Sequence, residues 1–124
     1  MDKQQALNVS PIVLAFVGDA VYSLFVRERL TFETDYKAGE MQKLSISEVN
    51  AVAQANFVKE IMPLLTEEEL GVFKRARNAK KGTKAKSASV ADYNSATGFE
   101  ALLGFLYLTG QNDRLNFILN KGEL

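Results

Sequence analysis

The sequence predicts an all-α chain. Its apolar residues fall in long runs, the first covering sixteen residues from Pro11 to Val26. Helix-start signals stand at Ser10-Pro11 and at Thr66 to Glu69, and no segment alternates apolar and polar residues as a half-buried strand would. Residues 9–17 mix β-branched side chains with Phe16, a composition that suits strands, but they do not alternate.

Ser10 as N-cap and Pro11 at the first helical position open a helix expected to run to about Leu30. This helix is apolar nearly all round, and Phe16, Ala20, Ser23 and Arg27 make no clean polar stripe. It is therefore the expected central, most enclosed element. A more polar helix is expected over residues 36–55, with Met41, Leu44, Val49, Val52 and Ala53 facing inward. A short helix over 57–65 follows, ended or bent by Pro63. In T-E-E-E, Thr66 and Glu69 form a capping box ahead of Leu70, Val72 and Phe73, and the acids suit a helix N-terminus. Asp92 is the expected cap of a helix from Tyr93 to Leu108, closed by Thr109 and Gly110. Leu115, Phe117, Ile118 and Leu119 mark a short last helix. Without an internal repeat, the 124 residues are expected to form a single domain over 1–124, long enough to bury one core.

Composition narrows the chemistry. No cysteine is present, which excludes disulfides, thiolate zinc sites and a cysteine nucleophile, and is compatible with a reducing compartment. No histidine is present either, removing the commonest general base and zinc ligand. Hydrolysis by this chain would point to oxygen-ligated Mg²⁺ or Mn²⁺. The apolar first run contains Asp19 and is followed at once by Arg27, Glu28 and Arg29, so a membrane span is not expected. Residues 1–5 do not form a basic leader segment, and a soluble cytoplasmic protein is the expectation.

The zero formal charge hides an uneven distribution. Lys74, Arg75, Arg77, Lys80, Lys81, Lys84 and Lys86 lie in one stretch with no acid between Leu70 and Ala91, a segment of +7. The rest has eight basic and fifteen acidic side chains, a net −7. A basic element on an acidic body points to a polyanion partner. The alternative is a solvated charge run. K-K-G-T-K-A-K-S-A-S has the composition of an exposed loop.

Two carboxylates interrupt the apolar runs: Asp19 in F-V-G-D-A-V and Glu100 in T-G-F-E-A-L-L-G. Removing an ionised carboxylate from water costs several kcal/mol, on the order of the buried-ion penalty, unless a cation or several donors meet it. Each is expected to be compensated, either by a ligand or by capping and pairing inside the core. Gly18, Gly98 and Gly104 lie close by, where each weakens a helix interior by roughly 0.5–1 kcal/mol relative to alanine. Close backbone approach explains Gly18 and Gly104 better than ligand contact, and either would explain Gly98. Phe16, Tyr22, Phe25, Phe99, Phe105 and Tyr107 are expected in the core or at a subunit surface.

F-V-G-D-A-V and T-G-F-E-A-L-L-G resemble, in order and separation, the two acidic motifs of the ribonuclease III catalytic domain. With R-A-R-N-A-K ahead of the second motif and no double-stranded-RNA-binding domain after it, the closer resemblance is to the Mini-ribonuclease III subfamily. The resemblance implies an all-helical homodimer with two active sites along a valley for double-stranded RNA. It implies metal-dependent cleavage with Mg²⁺, for which Mn²⁺ may substitute, leaving 5′-phosphate and 3′-hydroxyl ends, and a task in maturation of the 23S ribosomal-RNA precursor. Carried over by position, Asp19 and Glu100 are the catalytic and metal-holding acids. Ile12, Ala15 and Thr97 stand where the full signature has further acids. Arg75, Arg77, Asn78, Lys80, Lys81, Lys84 and Lys86 are expected to hold RNA, whose A-form duplex is recognised mainly through phosphates and 2′-hydroxyls. Arginines suit bidentate phosphate contact and lysines act as point charges. Tyr93 and Asn94 are open to a substrate role. The alternative is a non-catalytic RNA-binding dimer on the same fold.

Overall fold

A computed structural model describes residues 1–33, 35, 37–81 and 88–123. Among them there are seven α-helices and no strand: α1 Lys3–Leu7, α2 Pro11–Glu33, α3 Ala38–Val49, α4 Ala51–Ile61, α5 Glu67–Asn78, α6 Val90–Leu108 and α7 Asn112–Leu119, with a 3-10 turn at Met62–Leu64. The all-α expectation holds. Among the described residues no helix is long and apolar enough to cross a membrane.

Helix α1 had no counterpart in the sequence reading. It is closed by a capping box in which the Asp2 carboxylate accepts from the Gln5 N–H at 2.7 Å and Gln5 Oε1 accepts from the Asp2 N–H at 3.0 Å. Helix α2 opens at Pro11 as expected and runs one turn past Leu30.

The single helix expected over 36–55 is two helices, and its first residue, Tyr36, lies outside the described residues. Asn50 makes the break. Its backbone is extended (ψ 162°), its Oδ1 accepts from the Ala53 N–H at 2.8 Å, and its Nδ2 donates to the Ser47 carbonyl at 2.9 Å. One amide thus ends α3 and caps α4, the competition with helical bonding that asparagine offers the backbone. Phe57 consequently lies inside α4 rather than opening a helix. Val52, expected inward, is exposed, whereas Gln54 is buried.

The Thr66–Glu69 capping box forms as predicted. The cap of α6 is Ser89, whose Oγ accepts from the Asp92 N–H at 3.1 Å, so Asp92 sits in the first turn instead of capping it. A hydroxyl three residues earlier does what the carboxylate was expected to do.

The centre of the fold is α6, not α2. Ten residues of α6 are buried, including Phe99, Leu102, Leu103, Phe105 and Leu106 with no exposed surface, whereas α2 buries six. Helices α2, α4 and α5 pack around α6. Helix α2 turns Leu14, Gly18, Tyr22, Val26 and Leu30 inward at four-residue spacing and leaves Val13, Phe16 and Leu24 in solvent. Its apolar back is uncovered.

Where α2 crosses α6 the two backbones touch. A Cβ on Gly18 would lie 1.6 Å from the Glu100 carbonyl oxygen, and one on Gly104 would lie 2.0 Å from the Leu14 carbonyl oxygen. Only glycine fits either position. These glycines serve helix packing, and by doing so they bring the residue after Gly18 alongside Glu100.

Candidate active site

That residue is Asp19. The α2–α6 contact brings its carboxyl to the same cleft as the Glu100 carboxyl, near enough for the two to interact, although they are far apart in the chain. They lie in an open cleft of about 510 Å³ whose wall also includes Ile12, Phe16, Lys80, Lys81, Tyr93 and Thr97.

The expectation that both acids leave water holds for only one of them. Asp19 is exposed on the rim of α2, and Glu100 is half-buried on α6. Burial, then the hydrogen bond to Asp19, then that neighbour's negative charge push the Glu100 carboxyl up to about 9, while a hydrogen bond from Gln54 acts in the opposite direction. Two carboxyl groups in contact resist double ionisation unless positive charge joins them. The structure therefore concentrates an uncompensated negative site at one point of an open cleft.

At the positions where the full ribonuclease III signature has further acids, Ile12 is exposed beside the cleft, Ala15 is buried and Thr97 is buried. The Thr97 hydroxyl is occupied within its own helix, donating to the Tyr93 carbonyl at 3.0 Å. Among the described residues no cluster of three or more acidic, histidine or cysteine side chains is placed to hold a metal ion. The donor set is two carboxylates with an open side, which fits a hard divalent cation whose remaining positions are filled by water and substrate oxygens.

The basic residues are not equivalent. Lys80 is exposed at the cleft. Lys81 lines the same cleft, but its Nζ donates to the carbonyls of Ala76, Arg77 and Ala79 at 2.9, 3.1 and 2.9 Å. All three ammonium protons are used to cap α5, and burial holds its pKa below the usual lysine value. Arg75 donates to the Leu7 carbonyl at 3.2 Å and so ties α5 to the end of α1. Arg77 lies over the Phe73 ring and donates to the Asn78 side chain at 3.2 Å. Lys84 and Lys86 lie outside the described residues.

Two roles escaped the sequence reading. Lys81 was read as a free point charge and is a helix cap. Gln54, from α4, is buried with its Nε2 donating to the Val49 carbonyl at 2.6 Å, although nothing distinguished it from Asn56 in A-V-A-Q-A-N-F-V. The signal, in hindsight, was a long polar side chain flanked by alanines on an otherwise inward face. The aromatic expectations divide: Tyr22, Phe57 and Phe99 form a ring cluster with centroids 5.0–5.8 Å apart, while Phe16 and Tyr107 are exposed.

A family model described as the ribonuclease III domain matches residues 12–111, both acids included. The chain is similar to Mini-ribonuclease 3 of Thermoanaerobacter sp., 46% identical over 96% of this chain and 84% of that protein. It is also similar to the Brevibacillus brevis protein of the same name, at 48% over 90% of this chain and 84% of that one. Mini-ribonuclease 3 of Staphylococcus aureus is 37% identical over 98% and 94%. A crystal structure of a protein from Fusobacterium nucleatum superposes with a TM-score of 0.83 at 35% identity, covering 94% of this chain and 96% of that one. The chain belongs to the ribonuclease III domain family, on its Mini-ribonuclease 3 branch, and is an endoribonuclease of ribonuclease III type.

Proposed function

We propose that the chain cuts double-stranded RNA with the aid of a divalent cation, Mg²⁺ or in its place Mn²⁺, held by Asp19 and Glu100, and that its task is maturation of the 23S ribosomal-RNA precursor. The observation that carries the reading is the meeting of these two carboxyls, from two distant segments, in an open cleft with Lys80 on its wall. The cation, when bound, lowers the pKa of water at the site and offsets charge gathering on the phosphate.

The protein's own groups do the rest. Glu100, held protonated by its burial and by Asp19, would ionise beside a positive charge, and the two carboxylates are the groups that would hold the cation. Lys80, on the cleft wall, attracts the phosphate backbone. Ile12 and Phe16 make one wall of the cleft apolar. No histidine is required for proton transfer in this scheme.

The reading includes a homodimer formed through the uncovered apolar back of α2. Val13, Phe16 and Leu24 are 50, 79 and 66% exposed there, a concentration of apolar surface that a lone chain would leave in water. The active sites of the two copies would then face one duplex.

The test is incubation of long duplex RNA with the protein in Mg²⁺ or in EDTA, beside the Glu100→Gln variant. Metal-dependent cutting that disappears in the variant while gel-shift binding remains supports the reading. Intact RNA under every metal condition, with binding that weakens steeply as salt rises, would instead establish an RNA-binding dimer.

A further inference from the structure

We propose that Tyr93 is a further catalytic residue: its phenol hydroxyl, on the same face of α6 as Glu100 and lining the same cleft, donates a hydrogen bond to a non-bridging oxygen of the phosphate that is cut. This rests on the nuclease reading given above.

Tyr93 and Glu100 stand seven residues apart on α6, so their side chains leave one face of the helix with about 10 Å of rise between them. Both line the cleft. The residue between them on that face is Thr97, which is buried and whose hydroxyl turns back onto the Tyr93 carbonyl at 3.0 Å, a bond threonine makes within its own helix. The stretch of α6 from Glu100 to Tyr93 therefore has no other polar group free to meet a ligand, and it leaves room for a phosphate group between the carboxyl and the phenol.

The cleft offers few donors for such a group. Ile12, Ala15 and Phe16 are apolar, and Asp19 and Glu100 bring negative charge. Lys81 uses its ammonium protons on three carbonyls at the end of α5. Among the described residues of the cleft wall, the side-chain donors with no partner in the chain are the Lys80 ammonium and the Tyr93 hydroxyl. The two differ in what they can do. Lys80 is an exposed point charge on a flexible stem, which attracts a phosphate without fixing it. Tyr93 is half-buried, and a tyrosine has a rigid ring and two rotatable bonds, so its hydroxyl is fixed at low cost in conformational entropy. A phenol also donates without bringing a formal positive charge, and so forms no ion pair with Asp19 or Glu100 that would have to break before the phosphate is met. Negative charge gathers on the non-bridging oxygens as the phosphate is attacked, and a fixed donor there favours the transition state over the bound duplex.

The decisive variant is Tyr93→Phe, which keeps the ring and removes one oxygen. Since that oxygen has no partner in the chain, Tm should match the wild type. In Mg²⁺, kcat on duplex RNA should fall about tenfold or more while KM moves no more than about twofold, as when a donor that acts chiefly in the transition state is lost. Mn²⁺ binding to the full chain without RNA, read by electron paramagnetic resonance, should be unchanged, which separates a lost phosphate donor from damage to the two acids. Wild-type kcat in Tyr93→Phe overturns the inference, whether or not KM rises, because a rise in KM alone would mean that the hydroxyl holds duplex and transition state alike. A fall in kcat matched by an equal loss of Mn²⁺ affinity overturns it as well. A wild-type chain that cuts no duplex RNA with any divalent cation removes the nuclease reading and this inference together. A wild-type chain that cuts while Tyr93→Phe matches it removes this inference alone.

Discussion

Glu69 and Glu100 are the same residue in two opposite settings. Glu69, 3% exposed at the start of α5, is gripped by Arg114 from α7: Nε donates to Oε2 and Nη2 to Oε1, both at 2.7 Å, while Nη2 also donates to the Leu64 carbonyl at 2.6 Å. Burial alone would push its carboxyl up, but the Arg114 hydrogen bonds and the Thr66 cap together hold it below the usual carboxylate value. Glu100, also subject to burial, meets another acid instead of an arginine, and burial together with that neighbour pushes it up to about 9. The difference separates a carboxylate satisfied by an arginine within the fold from one that faces another acid, and pKa direction marks which is which.

The largest expected effect comes from deleting the unsatisfied acid. Glu100→Gln should reduce RNA cleavage to background while leaving Tm close to the wild-type value, since the protonated carboxyl and the amide are both neutral; a clearly lowered Tm would put Glu100 among the structural acids. Glu69→Ala should do the reverse. It is expected to lower unfolding free energy in urea by about 2–4 kcal/mol, below the full buried-pair figure because Arg114 reaches water, with kcat per folded molecule unchanged.

Titration sharpens the same contrast. A lowered folded pKa means that the Glu69 contribution is present above the ordinary carboxylate pKa and is lost as pH falls through the lower folded value. Glu100 has the opposite sign: the folded chain without metal keeps a proton that the unfolded chain releases, so stability in EDTA should decline as pH rises toward 9, by at most about 1.4 kcal/mol per unit. Denaturation of wild type and Glu100→Gln across this range, with and without Mg²⁺, reads the difference directly. Equal slopes in EDTA would mean that the two carboxyls are not coupled.

The smallest effects separate two adjacent lysines. Lys80→Ala should reduce the salt slope of duplex-RNA binding by about one and leave Tm alone. Lys81→Ala should lower stability by roughly 0.5–1 kcal/mol, because three α5 carbonyls lose their donor, and should change the salt slope less. Identical behaviour of the two variants would show that the α5 cap does not hold Lys81 in solution.

What could be read from the sequence was whatever local chemistry decides. The Thr66–Glu69 box, the Pro11 start and the Gly110 stop depend on neighbours within a turn, and each appeared as expected. The two acids were legible because a charge in an apolar run is rare and the motifs around them are specific. The break at Asn50 was not, since asparagine is tolerated inside helices and its second role emerges only when both ends of its amide find partners. The exchange of centre between α2 and α6 was equally hidden. Both runs are apolar all round, and only packing decides which is surrounded and which keeps a bare side. The burial of Gln54 follows from the packing of α4 against α6, which no local pattern encodes.

The contact of Gly18 and Gly104 with opposing carbonyls has a consequence for how this protein can change over generations. The separation of Asp19 and Glu100 is set by main-chain atoms pressed together, and no exchange of a core side chain alters those atoms. Leucines and phenylalanines around α6 can therefore be replaced by others of similar bulk while the two acids keep their distance. The glycines themselves have no such latitude, since even a single methyl group at either one would pry the site apart.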